Sequence, residues 1–134
     1  MVCQYPWITF QGSCYALFTQ LLSWNDARAY CEAEGAQLVK IECAEENEFI
    51  KNKYMKDGLD FWIGLTDEQV EGVWKWSDGS ELAGYINWAT NQPSDKTHYQ
   101  NCAGIRMGMF HLVYNDAQWH DKDCSSKKGF ICKK

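Results

Sequence analysis

The sequence has no apolar run that approaches the roughly 20 residues needed to cross a bilayer, and no Pro/Gly/Ser-rich linker or block of like charge. Clustered lysines and arginines, which nucleic acids and anionic membranes require, are also missing, and the formal net charge is −5. These absences argue against membrane insertion and against nucleic-acid binding. They leave no point at which the 134 residues would divide, so we expect a single domain over residues 1–134.

Recognisable catalytic patterns are absent as well. The three histidines, His98, His111 and His120, do not have the i,i+4 spacing of a helical zinc pair. No serine or cysteine lies in a nucleophile motif, and no two cysteines have Cys-x-x-Cys spacing. We therefore predict a binding protein and not an enzyme.

Cysteine, by contrast, is abundant, with seven residues in this short chain. This number indicates an oxidising compartment, so we expect a secreted, extracellular protein whose leader peptide has been removed. The count alone leaves the disulfide pairing open.

The first part of the chain has the patterns of a hairpin and of two helices. Alternating apolar residues over Trp7–Tyr15 predict a short hairpin. Ser23 opens a capping-box pattern that predicts a first helix, which Gly35 ends. Helical spacing resumes over Ala44–Lys56 and predicts a second helix.

Beyond Gly58 the pattern changes to short apolar segments that predict strands. These segments are Phe61–Leu65, Val73–Trp76, Ile105–Tyr114, Gln118–Trp119 and Gly129–Cys132. Helices followed by strands indicate the α+β class. We assign the aromatic and branched residues of the first two segments to the core.

Two stretches are rich in side-chain oxygens. The segment from Trp88 to Cys124 predicts a long, shaped loop, and loops of this composition usually bind a ligand. Asp67 and Glu71 follow a buried strand, four residues apart, and fit either a solvated turn or a cation site.

Five short motifs give a more specific indication. They are WIGL (Trp62–Leu65), WKWSDG (Trp74–Gly79), NW (Asn87–Trp88), WHDKDC (Trp119–Cys124) and GFIC (Gly129–Cys132). In order and spacing they resemble signatures of the C-type lectin family, and six cysteines stand at matching places. The resemblance covers nearly the whole chain. It implies a disulfide-stapled α+β fold with two helices, two small antiparallel sheets and a long ligand-binding loop.

The resemblance also implies the disulfides Cys3–Cys14, Cys31–Cys132 and Cys102–Cys124. It implies an auxiliary calcium site, whose matching residues are Asp67, Glu71, Asp95, Gln100 and Asn101. Asn101 stands where the family often has Asp, which lowers the charge of this site.

The principal site of the family, where sugar hydroxyls meet the metal, has lost more charge. Its positions read Gln92-Pro93-Ser94, Gln100 and His120-Asp121, and only Asp121 is a carboxylate. Because ligand charge largely sets the affinity of oxygen sites for calcium, we expect calcium, if bound, at the auxiliary site.

Gln92-Pro93 resembles the galactose-type tripeptide QPD, in which the bond before proline is often cis. We therefore expect a lectin that binds galactose or N-acetylhexosamine glycans weakly, with little calcium dependence, in agglutination or microbial recognition. The residues predicted to contact sugar, by hydrogen bonds or by stacking, are Gln92, Ser94, Tyr99, Gln100, Trp119, His120 and Asp121. The alternatives are a loop that binds a protein partner, and one that binds ice or mineral.

Cys43 is left over after the implied pairing. It stands at the predicted N-cap of the second helix, with Glu46 at the capping-box position. An exposed, unpaired cysteine in an oxidising compartment often finds an intermolecular partner, so we predict a disulfide-linked homodimer through Cys43.

Overall fold

The computed structural model describes residues 3–56, 58–94, 99–108 and 117–134. Two helices and eight strands occur in these residues. The helices are α1 (Trp24–Ala33) and α2 (Ala44–Tyr54). The strands are β1 (Ile8–Phe10), β2 (Ser13–Leu22), β3 (Gln37–Leu38), β4 (Asp60–Thr66), β5 (Lys75–Trp76), β6 (Cys102–Arg106), β7 (Gln118–Lys122) and β8 (Lys128–Lys133).

The predicted elements are present with shifted ends. α2 ends at Tyr54, two residues before the predicted end. β6 begins at Cys102, earlier than expected, and ends at Arg106. The predicted continuation of this strand to Tyr114 lies largely outside the described residues.

The strands form one mixed sheet in the order β1-β2-β8-β4-β6-β7, with β3 on β8 and β5 on β4. The α+β class is confirmed, but the expectation of two separate antiparallel sheets is wrong. A parallel pairing of β4 with β8, through Phe61 with Gly129 and Trp62 with Phe130, joins the two halves. Gly129 permits this junction, because a Cβ there would lie 2.9 Å from the Phe18 carbonyl oxygen and 3.0 Å from the Phe61 ring.

Both helices begin where the sequence predicts. At α1 the Ser23 hydroxyl accepts a hydrogen bond from the Asp26 N–H at 3.3 Å. At α2 Cys43 is the N-cap, but its side chain makes no capping hydrogen bond. The Glu46 carboxylate instead accepts from the Glu42 N–H at 2.7 Å, one residue before the predicted capping-box partner.

Buried tryptophans pack α1 against the sheet. Trp24 and Trp62 are completely buried, as are Ile63 and Leu65, so the core assignment of WIGL is confirmed. The Trp24 Nε1–H donates to the Ile63 carbonyl at 2.8 Å. This contact joins the first turn of α1 to the middle of β4.

Three disulfides staple the chain, and they are the three predicted pairs. Cys31–Cys132 ties α1 to β8 across a sequence separation of 101 residues. In the chain-entropy model, closing a loop of this length stabilises the fold by up to about 4.7 kcal/mol. The Cys102–Cys124 bridge fixes the base of the long loop, because it joins the start of β6 to the turn after β7.

A partly buried carboxylate connects three strands. Asp60 on β4 lies 2.8 Å from His120 Nε2 on β7 and 2.5 Å from Lys128 Nζ on β8. Burial alone would raise the pKa of Asp60, but the hydrogen bond and charge of His120, together with the Lys128 ammonium, outweigh it and hold that pKa below its usual value. Gly104 leaves room for the contact, since a Cβ there would lie 2.8 Å from Asp60 Oδ1.

The Asp60 contacts predict a pH-dependent contribution to stability. We expect Asp60→Asn to lower the free energy of unfolding at pH 7 by about 1–3 kcal/mol, because it weakens the hydrogen bonds to His120 and to the Lys128 ammonium at a desolvated position. The folded pKa of Asp60 lies below the unfolded value of about 3.9, so the contribution is fully present above about pH 5. It disappears as the pH falls through the folded pKa.

Urea unfolding of both proteins between pH 7 and pH 2 measures this difference. Asp78→Asn is the control, because the Asp78–Lys40 pair at 3.2 Å is more exposed, and such pairs contribute about 0–1 kcal/mol. A wild-type advantage over Asp60→Asn that stays constant down to pH 2 would contradict the assignment.

Candidate functional site

The long loop leaves the sheet alongside β7. Trp88 pairs with Trp119 in an isolated parallel bridge. The Ala89 N–H donates to the Trp119 carbonyl at 2.8 Å, and the Trp119 N–H donates to the Asn87 carbonyl at 2.9 Å. These contacts place the residues that follow Ala89 beside the next residues of β7.

Four of the predicted sugar-binding residues meet at this point. The Gln92–Pro93 bond is cis, as predicted. The Gln92 side-chain oxygen accepts from the Asp121 N–H at 3.1 Å. Asp121 Oδ1 accepts from the Ser94 N–H at 3.0 Å, and the Ser94 hydroxyl lies 3.2 Å from that oxygen and 3.1 Å from Gln100 Oε1. We call Gln92, Ser94, Gln100 and Asp121 the principal cluster.

The principal cluster fits calcium poorly. Its single carboxylate, Asp121, belongs to a residue only 1% exposed and already accepts hydrogen bonds from Ser94. The side-chain oxygens of this cluster face N–H and O–H donors. Calcium prefers six to eight oxygens with several negative charges among them, which this donor set does not provide. The cluster is a hydrogen-bonding network around one carboxylate.

The predicted auxiliary site has a different character. Asp67, at the end of β4, is 3% exposed, and its Oδ2 accepts from the Gly72 N–H at 2.9 Å. Its Oδ1 and the Asn101 Oδ1 are buried without a hydrogen-bond partner. The Asp67 N–H donates to the Asn101 carbonyl at 3.0 Å, so the two residues are adjacent. Buried oxygens without donors are costly, and a bound cation would satisfy them, so this pair would supply two of the roughly six to eight oxygens that calcium takes.

The other residues predicted for the auxiliary site are placed differently. Glu71 is exposed on the turn that Asp67 begins. Gln100 turns its side-chain oxygen to Ser94 in the principal cluster. Asp95 lies outside the described residues.

Two predicted sugar contacts are wrong. Trp119 is 0% exposed, and its ring packs edge-on against Trp76 and Trp88. His120 is also 0% exposed and bonds to Asp60. Because both faces of β7 are covered, neither side chain reaches a ligand on the surface.

Tyr99 remains the exposed aromatic residue next to the principal cluster, with 70% of its surface accessible. It precedes Gln100 directly in the sequence. His98, which precedes Tyr99, lies outside the described residues.

Sequence reasoning did not single out Asn47, which positions β7 from the other side. Asn47 on α2 is 4% exposed; its side-chain oxygen accepts from Trp119 Nε1 at 3.0 Å, and its amide donates to the Ala117 carbonyl at 3.1 Å. Its position could have been predicted from the sequence, because Asn47 lies three residues before Ile50 and residues at this spacing share one face of a helix.

No helix in the described part of the chain is long and apolar enough to cross a membrane.

The fold is that of a C-type lectin-like domain. Its features are two helices, a mixed sheet, three disulfides and a long loop with a cis proline. Residues 20–134 match the sequence model of the family described as "Lectin C-type domain". The chain therefore belongs to the C-type lectin domain family, as its motifs predict. This family consists of binding proteins, its members commonly bind calcium, and the comparisons indicate no enzyme family.

Individual relatives agree with this assignment. C-type lectin lectoxin-Lio1 of Erythrolamprus poecilogyrus is 34% identical over 98% of this chain and 79% of its own length. The carbohydrate-recognition domain of the mouse scavenger receptor C-type lectin superposes with a TM-score of 0.85 and 36% identity, covering 98% of this chain and 95% of that one. A Ca2+-dependent type II antifreeze protein, solved in its Ca2+-free form, has a TM-score of 0.85 and 31% identity, covering 98% and 99%.

Proposed function

We propose that this protein is a secreted lectin that binds galactose or N-acetylhexosamine glycans weakly, through the principal cluster and without a calcium ion there. The observation that carries the proposal is the network in which Gln92 and Ser94 bond to Asp121 and Gln100 bonds to Ser94, with the exposed Tyr99 directly before Gln100 in the sequence. Amide and hydroxyl groups next to an aromatic face match the two kinds of surface that a pyranose presents.

The hydrogen bonds within the cluster give each residue a role. The Asp121 N–H donates to the Gln92 side-chain oxygen, which fixes the orientation of the Gln92 amide. The Asp121 carboxylate accepts a hydrogen bond from the Ser94 N–H and thereby orients Ser94. Because these groups are already ordered, less conformational entropy is lost when a ligand binds. A few hydrogen bonds and one stacked face give about −4 to −6 kcal/mol, which is millimolar to high-micromolar affinity.

In this proposal calcium binds at the Asp67 and Asn101 pair. Glu71 lies on the same turn as Asp67. When bound, the ion would supply positive charge to the two buried oxygens that have no donor. Its contribution would be to order the base of the loop, since Asn101 directly precedes Cys102 of β6.

A glycan array with and without EDTA tests the sugar proposal. We expect signals for galactose- or N-acetylgalactosamine-terminated glycans that persist in EDTA. Ser94→Ala removes the hydroxyl that lies between Gln100 and Asp121, and we expect it to weaken those signals about tenfold, which corresponds to about 1.4 kcal/mol.

Ser80→Ala, which removes another hydroxyl bonded to an aspartate but on a different turn, is the matched control and should leave the signals unchanged. An array with no signal at high protein density, both with calcium and with EDTA, would instead favour a protein partner for this loop.

Calorimetric titration with calcium tests the metal proposal. We expect Asp67→Asn to weaken calcium binding at least tenfold, because it removes the buried charge of the auxiliary site. Asp121→Asn should leave the calcium affinity within about threefold, because its carboxylate is occupied by Ser94. Loss of calcium binding in Asp121→Asn, with retention in Asp67→Asn, would reverse the assignment. The melting temperature of each variant without calcium shows whether it remains folded.

Cys43 carries the proposal of a covalent homodimer. All seven cysteines lie in the described residues, and Cys43 is the one without a disulfide. Its side chain is partly exposed, and its Sγ lies 3.9 Å from the side-chain oxygen of Gln11. A dimer would present two weak sugar sites together and raise the avidity without any new contact.

Non-reducing electrophoresis of freshly purified, oxidised protein measures this dimer. We expect a band at twice the monomer mass that disappears with reductant and in Cys43→Ser. A monomer band under oxidising conditions, or a dimer that persists in Cys43→Ser, would exclude the covalent link.

Ice binding is a second candidate function, favoured by the likeness to the type II antifreeze protein. Thermal hysteresis, measured with and without calcium, separates the two functions. A hysteresis gap together with an empty glycan array would replace the lectin proposal.

A further inference from the structure

A groove of about 600 Å³ lies between α2 and the turn of the first hairpin. Its lining includes five residues with the i, i+3, i+4, i+7, i+8 spacing of one helix face. These five residues, which we call the α2 face, are Glu45, Glu48, Phe49, Asn52 and Lys53. The hairpin contributes Phe10 and Gln11 to the lining. None of these residues belongs to the principal cluster or to the auxiliary site.

Phe49 is the apolar centre of the α2 face, and contacts within its own chain hold it in place. Its ring stacks on Phe10 with centroids 4.4 Å apart and an interplanar angle of 12°. Its centroid also lies 5.1 Å from that of Tyr15 and 6.3 Å from that of Tyr54. Phe10 and Phe49 are nevertheless only partly buried. Aromatic residues that are ordered but still accessible are typical anchors of protein–protein contacts.

The charges of the α2 face are arranged symmetrically about Phe49. Because α2 spans Ala44–Tyr54, Phe49 is its middle residue. Glu45 lies four residues before Phe49 and Lys53 lies four residues after it, so the three side chains form one i±4 ridge. Glu45 and Lys53 are exposed, and within the described part of the chain neither has an ion-pair partner. Each charge lies about 6 Å from Phe49 along the helix axis.

This arrangement is complementary to itself. If a two-fold axis passes at Phe49, the α2 helices of two copies run antiparallel, and Glu45 of each copy lies opposite Lys53 of the other. Ridges of the i±4 type pack against each other in the commonest class of helix crossing, which brings this row of residues together. A parallel arrangement would place like charges opposite each other, so the charges favour the antiparallel one.

Other occupants match the α2 face less well. A uniformly basic or acidic segment would be attracted by one of the two charges and repelled by the other. An anionic membrane surface would be repelled by the carboxylates of Glu45 and Glu48. A second copy of the chain satisfies both charges and covers the phenylalanine pair at the same time.

This contact differs from the covalent link through Cys43. Cys43 lies six residues before Phe49, so the two Cys43 residues of the antiparallel pair would be about 18 Å apart along the helix axis. A disulfide requires Cα atoms within about 7 Å of each other. The two contacts therefore cannot join the same two chains, and both together would give assemblies larger than a dimer.

We propose that the α2 face is a self-association surface, on which a second copy of this chain packs antiparallel about Phe49 with reciprocal pairs of Glu45 and Lys53. The inference does not depend on sugar or calcium binding. A contact centred on one short helix is at the small end of protein interfaces, so we expect a reversible dimer with a dissociation constant on the order of 100 μM.

Sedimentation equilibrium of the Cys43→Ser protein measures this association without the disulfide. We expect a monomer–dimer equilibrium that weakens with added salt, because exposed ion pairs are screened. In the same background, Glu45→Lys should weaken the association about tenfold, because like charges then face each other twice in each pair. The control is Glu34→Lys, which changes the net charge equally at an exposed glutamate after α1 and should leave the affinity within about twofold.

Exchanging the two charges tests the pairing itself. Lys53→Glu alone should weaken the association as Glu45→Lys does. The double variant Glu45→Lys/Lys53→Glu places opposite charges together again, so its affinity should return to within about threefold of the parent protein.

A Cys43→Ser protein that stays monomeric at about 1 mM would overturn the self-association surface. A dimer that Glu45→Lys leaves intact, or that the double variant fails to restore, would also overturn it. A monomeric Cys43→Ser protein together with a covalent wild-type dimer would leave the Cys43 link standing. The two kinds of dimer therefore fail separately.

Discussion

The placement of β7 depends on two polar contacts that hold it from opposite sides. Asn47 accepts from the Trp119 indole on one face, and Asp60 bonds to His120 on the other. Polar groups buried this deeply are costly unless they are paired, so each contact specifies one position of the strand. Because Asp121 follows these two residues, its carboxylate is fixed at the base of the loop before any ligand arrives.

The oxygens around that loop divide into two kinds. Those of the principal cluster are satisfied by protein donors, and the bond from Ser94 to Asp121 is the central one. Those of Asp67 and Asn101 include two buried atoms without donors. Donors and acceptors are therefore balanced in the principal cluster, whereas acceptors are in excess at Asp67 and Asn101.

Much of the fold could be predicted from local sequence signals. The cap at Ser23 and the buried WIGL segment each depend on neighbouring residues, and both are present. The cis bond before Pro93, which is also present, was implied by the family resemblance. The disulfide pairing came from the family resemblance, since spacing alone leaves it open.

The predictions that were wrong depend on contacts between distant segments. Trp119 and His120 stand in a motif beside the expected site, but α2 and β4, which are far away in the sequence, decide whether the strand is covered on one face or two. The parallel pairing of β4 with β8 could not be predicted for the same reason, because the residue pattern of a strand does not indicate which other strand it pairs with.

Ser94 shows how one short side chain changes the chemistry of a site without dismantling it. Where the family has an amide or a carboxylate that provides a ligand oxygen, the serine hydroxyl instead provides a proton, and it lies between Gln100 Oε1 and Asp121 Oδ1. A donor at this position keeps the neighbouring acceptors together without a cation, since their mutual repulsion is relieved by hydrogen bonding. The principal cluster is thus held together by hydrogen bonds within the protein, and in the proposed function calcium at Asp67 would reinforce the base of the loop without forming the sugar-binding surface.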